Sequence, residues 1–176
     1  MTGTTIHIPT LETERLRLRA PGPADFEAFA AFRGSARART VGGPYSREEA
    51  FEQLGALIGQ WHLRGFGRWI VADKASDEGL GVVGMFYPQG WPAPEIAWSV
   101  FEPAEGKGIA YEAALAARRH AYAALGWTSA ISLVAPENHR SVALAKRLGA
   151  RIDGRHEHPL HGRLDIWRHP GPEASA

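Results

Sequence analysis

Segment 95–113, EIAWSVFEPAEGKGIAYEA, passes from an alternating apolar strand through a glycine-containing turn directly into a long alanine-rich helix. That order restricts the possible folds more than any other stretch. The helix pattern of 109–125 stops at Gly126, SAISLVA reads as a strand, and 139–148 reads as a further helix stopped by Gly149. Strand, helix, strand, helix requires a parallel crossover, so the sheet cannot be wholly antiparallel.

The remainder of the chain supplies antiparallel partners. In 12–20 (ETERLRLRA), Leu16 and Leu18 alternate with Arg15, Arg17 and Arg19, which predicts a half-buried strand ended by Pro21 and Pro23. Phe26, Phe29, Ala30 and Phe32 fall near helical spacing. Ser46 with Glu49 forms a capping box ahead of a second helix carrying Ala50, Phe51, Leu54, Leu57, Ile58 and Trp61, which runs to the glycines at 65 and 67. RWIVADK, GLGVVGMFY and EIAWSVF then read as a meander with short links, and ARIDGRHEH and RLDIWRHP as two closing strands. The expected class is α/β (α+β): a mixed, mostly antiparallel sheet of about six to seven strands with helices on both faces.

With 176 residues the chain has room for one core, expected over 10–170, followed by a polar tail at 171–176. Its hydrophobic and charged fractions, 44% and 22%, are those of a globular chain. A net charge of +1 gives no general case for nucleic acid as partner. The absence of cysteine removes thiolate catalysis and sulfur-built zinc sites, and His156, His158, His161 and His169 hold no fixed ligand register, so no metal is expected. The opening MTGTTIHIPTLETERL has no charged region followed by a long apolar run, and no stretch reaches the roughly 18 apolar residues of a membrane span. A cytoplasmic protein without a membrane partner is expected, as a monomer or a homodimer.

The chemistry sits at the turn. The first amides of a helix have no partner within it, and the aligned peptide dipoles put partial positive charge there, which suits an anion such as a pyrophosphate. Gly106 and Gly108 leave the backbone open to a phosphate, and Ala110 keeps the next turn narrow. Glycines at such a place can equally serve chain reversal alone. A P-loop is excluded because Gly108, not Ser or Thr, follows Lys107, and a dinucleotide fingerprint is excluded by Tyr111.

GKGIAYEA, preceded by EIAWSVF and followed after one helix and one strand by NHRSVALAKRLGA, resembles the GNAT superfamily of N-acetyltransferases, and within it the RimJ/RimL branch. The resemblance extends from LETERLRLR to WRHP. It implies acetyl-CoA as cosubstrate, with the pyrophosphate held by the amides of Gly106, Lys107, Gly108, Ile109 and Ala110. At the place where the family has Gln or Arg this chain has Glu105, whose side chain is expected to face solvent. The family's splayed fourth and fifth strands imply a pantetheine arm lying against the backbone of Ser99 and Val100.

The same resemblance matches Asn138 to a residue contacting the cofactor arm and Ser141 to one near its sulfur, although Asn138 also reads as an ordinary helix N-cap. Glu95 matches an acidic residue of the branch and is the candidate base; a solvated strand-end carboxylate is the plainer alternative. Ser141 is the candidate proton donor to the thiolate, and the Val100 amide a candidate for polarising the carbonyl. The implied reaction is direct attack by a primary amine, on a peptide N-terminus or a small molecule, within a ternary complex. A non-catalytic acetyl-CoA sensor is the rival. Among Trp61, Trp69, Trp91 and Trp98, core packing is the ordinary role, with Trp91 in its proline-rich link the expected exception.

Overall fold

In the computed structural model, which describes residue 3 and residues 5–175, one mixed sheet carries helices on both faces. Part of the opening segment (residues 1, 2 and 4) and residue 176 of the expected tail lie outside the described residues. The strands are β1 (Leu11–Glu12), β2 (Leu16–Arg19), β3 (Arg68–Asp73), β4 (Gly79–Phe86), β5 (Glu95–Val100), β6 (Ile131–Val134), β7 (Arg151–His158) and β8 (Gly162–Arg168). The helices are α1 (Phe26–Arg33), α2 (Arg47–Arg64), α3 (Ile109–Ala123) and α4 (His139–Arg147). Among the described residues the sheet has eight strands in the order β1-β2-β3-β4-β5-β6-β8-β7, and only β5 with β6 pair in parallel.

The eighth strand arises because segment 12–20 does not form one strand. Thr13 folds back instead: its amide donates to the Leu16 carbonyl at 2.9 Å, and its hydroxyl accepts from the Leu16 amide at 3.0 Å. Leu11 and Glu12 thus pair with Leu18 and Arg17. The capping box at Ser46 forms as expected, with Ser46 Oγ accepting from the Glu49 amide and the Glu49 carboxylate accepting from the Ser46 amide. Within the expected polar tail, Pro172–Ser175 form a short 3-10 turn.

Strand alternation divides the core. On one face Leu16, Leu18, Trp69, Val71, Val83, Met85 and Ile96 meet α3, whose Ala113, Ala114, Ala117 and Ala121 are all fully buried. Small side chains along that stripe let the helix lie close to the strands. On the other face Ile70, Val82 and Phe101 meet Phe29, Phe32, Ala50, Leu54 and Leu57 of α1 and α2. Near α4, Val134, Ala145, Ala150 and Trp167 form a smaller cluster.

A buried polar chain ties α3 to β5 and β6. Ser132 Oγ donates to the Ile96 carbonyl at 2.6 Å and meets His169 Nε2 at 2.9 Å, while Arg118 Nη1 reaches His169 Nδ1 at 3.1 Å. Because the Ser132 hydrogen is committed to Ile96, Nε2 carries the imidazole proton and Nδ1 accepts from Arg118. Burial, with Arg118 adding repulsion, pushes the His169 pKa down to about 3 and keeps the ring neutral. At the outer edge β7 is charged and irregular: Arg151, Asp153, Arg155 and Glu157 lie along it, the register shifts between Ile152 and Arg155, and Gly154 has φ 128°.

Ala117→Leu should therefore overpack the α3 interface. A loss of about 1–3 kcal/mol is expected, read as a lower urea midpoint at unchanged slope.

Candidate active site

Beyond Glu95 the sheet opens. Glu95 pairs with Ile131, and this is the only register contact between β5 and β6, although both strands continue in the same direction. Along β5 the ladder to β4 is unbroken from Glu95↔Phe86 to Val100↔Gly81. Past Ile96, whose carbonyl accepts from Ser132 Oγ, one edge of β5 is therefore free over roughly 13 Å, at about 3.3 Å per residue. The Phe101 amide donates to Leu80 at 2.8 Å, so by alternation the odd-numbered residues address β4 while Trp98 and Val100 address the gap. Ser99 does not share that position. Its carbonyl lies 2.5 Å from where a Cβ on Gly81 would stand, which turns its backbone toward β4. The gap-facing pair is Trp98 and Val100, and strand parity would have found Trp98.

The wedge ends at a carboxylate. Glu95 is only 6% exposed, and its Oε2 accepts from the Leu133 amide of β6 at 3.0 Å, at the point where the two strands part. Burial pushes its pKa up to about 7 despite opposition from the Leu133 amide, Trp91 and Arg68. The Trp91 indole is near enough to favour the charged form, but its N–H does not reach hydrogen-bond geometry with any acceptor. A solvated strand-end carboxylate does not describe this residue.

At the other end of the wedge lies the turn into α3. Gly106 and Gly108 have φ 70° and 76°, in the left-handed region that disfavours a Cβ. Gly108 is the N-cap, and no side chain caps the helix. Its first-turn amides thus face a place where an anion fits. Two contacts hold the turn from outside. Arg15 Nη1 donates to the Lys107 carbonyl at 3.0 Å, and the Glu112 carboxylate accepts from Thr13 Oγ1 at 2.5 Å, from the Arg15 amide at 3.0 Å and from Arg15 Nε at 2.8 Å. A cavity of about 410 Å³ borders the turn, lined by Arg15, Lys107 and Ile109 together with Asp73 and Glu78.

Glu105 corrects an expectation. Its side chain does not face solvent; it is 26% exposed and bridges two arginines, Arg37 from the 3-10 turn Ala36–Val41 and Arg140 from the start of α4. Arg140 Nη1 lies 2.8 and 2.7 Å from the two carboxylate oxygens, and Arg37 Nη1 lies 2.8 Å from one of them. Two guanidiniums offset one carboxylate, so the neighbourhood of the turn keeps a positive excess.

Asn138 caps α4, its Oδ1 accepting from the Ser141 amide at 3.2 Å. Ser141 Oγ accepts from Trp98 Nε1 at 3.1 Å, which brings the second motif against the wedge. Trp61 and Trp69 lie in the core. Trp91 stands outside it, edge-to-face with Phe86 at 5.4 Å and with His158 at 5.0 Å between ring centroids. His158 Nδ1 accepts the amides of Leu160 and His161 and so shapes the β7–β8 turn, while His169 lies apart in the polar chain below the wedge. Arg37, Thr13 and Arg15 were not foreseeable as site neighbours, since each reaches the turn from a distant part of the sequence; Glu112 lies in the first turn of α3 and only its partners are distant.

Residues 15–151 match the profile of the acetyltransferase (GNAT) domain. The chain belongs to the GNAT acetyltransferase family. An acetyltransferase from Agrobacterium tumefaciens is 33% identical over 97% of this chain and 99% of its own, with a TM-score of 0.85. A Bordetella pertussis protein assigned to the GNAT family is 27% identical over 93% of this chain and 100% of its own, with a TM-score of 0.77. The ribosomal-protein α-N-acetyltransferase RimL, solved in complex with coenzyme A, shares the fold at 18% identity over 91% of this chain and 97% of its own, with a TM-score of 0.74. Members of the GNAT family use acetyl-CoA, and the uncapped helix entrance with its two left-handed glycines fits a pyrophosphate. No helix among the described residues is long and apolar enough to cross a membrane.

Gly108→Glu in this GNAT protein should place a side chain at a left-handed position, at a cost of roughly 1–2 kcal/mol, and a carboxylate beside the amides. Calorimetry should show coenzyme A affinity falling at least about tenfold; unchanged affinity would remove the turn from the binding site.

Proposed function

We propose that this GNAT protein is a cytoplasmic acetyl-CoA-dependent N-acetyltransferase of the RimJ/RimL branch, acting on a primary amine by direct attack within a ternary complex. The observation that carries the proposal is the buried Glu95 carboxyl at the point where β5 and β6 part, with its pKa near 7. A general base works best when its pKa lies near the working pH. An amine must lose its proton to attack, and an N-terminal amine with pKa about 8 does so far more readily than a lysine at about 10.4.

In this reading, the amides of Gly106, Lys107, Gly108, Ile109 and Ala110 hold the pyrophosphate, and the free edge of β5 at Trp98 and Val100 lines the arm. Ser99 supports that edge from the β4 ladder, and Asn138 fixes the entry to α4. Acetyl-CoA supplies an activated acyl group and departs as a thiol. Glu95 receives the amine proton directly or through water. Because Trp98 Nε1 already donates to Ser141 Oγ, the serine hydrogen is free to be given to a group in the wedge. Val100 presents its amide to the same gap, suited to a carbonyl oxygen that gains charge. No covalent intermediate on the protein is needed; positioning supplies much of the rate.

The test is thiol release from acetyl-CoA with separate pools of peptides and small amines. Turnover with an amine supports the transferase, whereas cofactor binding without thiol release from any pool would support a sensor. Glu95→Gln should lower kcat/KM by about 10²-fold or more and abolish the limb that rises through about pH 7, since only the ionised carboxylate accepts a proton. Ser141→Ala should reduce kcat more than it weakens cofactor binding. Unchanged kcat would give the proton to water or to the amine itself.

A further inference from the structure

The wall beside Glu95 contains more buried donors than the protein satisfies. Arg68 opens β3, and its guanidinium lies 4.0 Å from the Phe86 ring centroid, with Nε buried and unpartnered. Burial, together with repulsion from Arg33, pulls the Arg68 pKa down to about 10. Arg33, at the end of α1, is also partly buried; its guanidinium stacks 4.4 Å from the Tyr45 ring centroid, and its Nε is bonded to Gln53. Among the described residues neither arginine makes an ion pair. Trp91 Nε1 and His156 Nε2 are buried and unpartnered as well. These groups form one wall: Trp91 contacts Phe86, His156, His158 and His161, with ring centroids 5.0–6.5 Å apart.

Glu95 is the carboxylate whose charge acts on Arg68, and one of its oxygens already holds the Leu133 amide. Two buried donors beside Glu95, Arg68 Nε and Trp91 Nε1, thus stand without a bonded acceptor, an arrangement that is unfavourable unless something completes it. What completes it must bring acceptor oxygens and negative charge. A carboxylate does both, and its planar pair of oxygens matches a guanidinium fork.

We infer that the acceptor amine carries a carboxylate, received by Arg68 and the Trp91 indole N–H while the amine stands at Glu95. This deepens the transferase reading and rests on it for the placement of the amine. The class is a carboxylate-bearing amine, either a free amino acid or a peptide with an acidic residue close to its N-terminus. Polyamines and amino-sugar antibiotics meet two guanidiniums and are disfavoured.

Calorimetry on the whole protein, with and without saturating coenzyme A, provides the test. One arm compares free amino acids with their carboxamides; the other compares peptides that begin with acidic residues with their amide counterparts. Carboxylates should bind about tenfold tighter or better in one arm, and that arm identifies the source. Arg68→Gln should reduce the preference to within about threefold while leaving coenzyme A affinity unchanged. Trp91→Phe, which retains an aromatic ring against Phe86 and loses the N–H, should weaken carboxylate binding about threefold and provides a second readout if the first variant folds poorly. Equal binding of acids and amides in both arms, tighter binding of spermidine, or a preference that survives Arg68→Gln would overturn the inference. Acid preference without thiol release would leave the carboxylate site standing and remove the transferase; thiol release indifferent to the carboxylate would do the reverse.

Discussion

The parting of β5 from β6 is the constraint on which the rest of the architecture depends. A sheet gains by pairing every strand edge, so an edge left free inside a sheet must be held open by neighbours. Here the fastening lies just below the opening. Ser132 bonds across to Ile96, His169 and Arg118 extend that contact to α3, and Glu95 takes the Leu133 amide that would otherwise seek the β5 backbone. Side chains thus replace the missing ladder bonds, and the strands diverge without leaving those groups unsatisfied.

The same substitution accounts for the electrostatics. A carboxylate that closes the apex must be buried, and burial lifts its pKa toward neutrality. The helix entrance at the far end is its complement, with amides and left-handed glycines in place of an acid, and with Arg37 and Arg140 outweighing Glu105 nearby. One end of the wedge favours an anion and the other can accept a proton. That polarity suits transfer between a phosphate-anchored donor and an amine.

Local chemistry was legible in the sequence and long-range pairing was not. Alternation and capping signals identified the helices, the main strands, the glycine turn and the parallel crossover, because each is encoded over a few neighbouring residues. The fold-back at Thr13 was hidden, since Leu16 and Leu18 alternate correctly on either reading and only the Thr13–Leu16 bonds separate them. Glu105 was misjudged because its partners lie 68 and 35 positions away. Glu95 was singled out by resemblance, but its burial was not legible, because Trp91, Arg68 and the Leu133 amide of β6 come to it from other parts of the chain. Ser99 and Trp98 differ only by strand parity, which needs the register with β4 to resolve.

The β7 edge has a consequence for how copies of this chain can meet. A bare strand edge normally invites a neighbour's backbone to continue the sheet, but this one is lined with charges of both signs and bent where Gly154 breaks the register. Self-association by end-to-end joining of sheets is thereby opposed, and colloidal stability at high concentration is guarded at the place where a mixed sheet is most vulnerable.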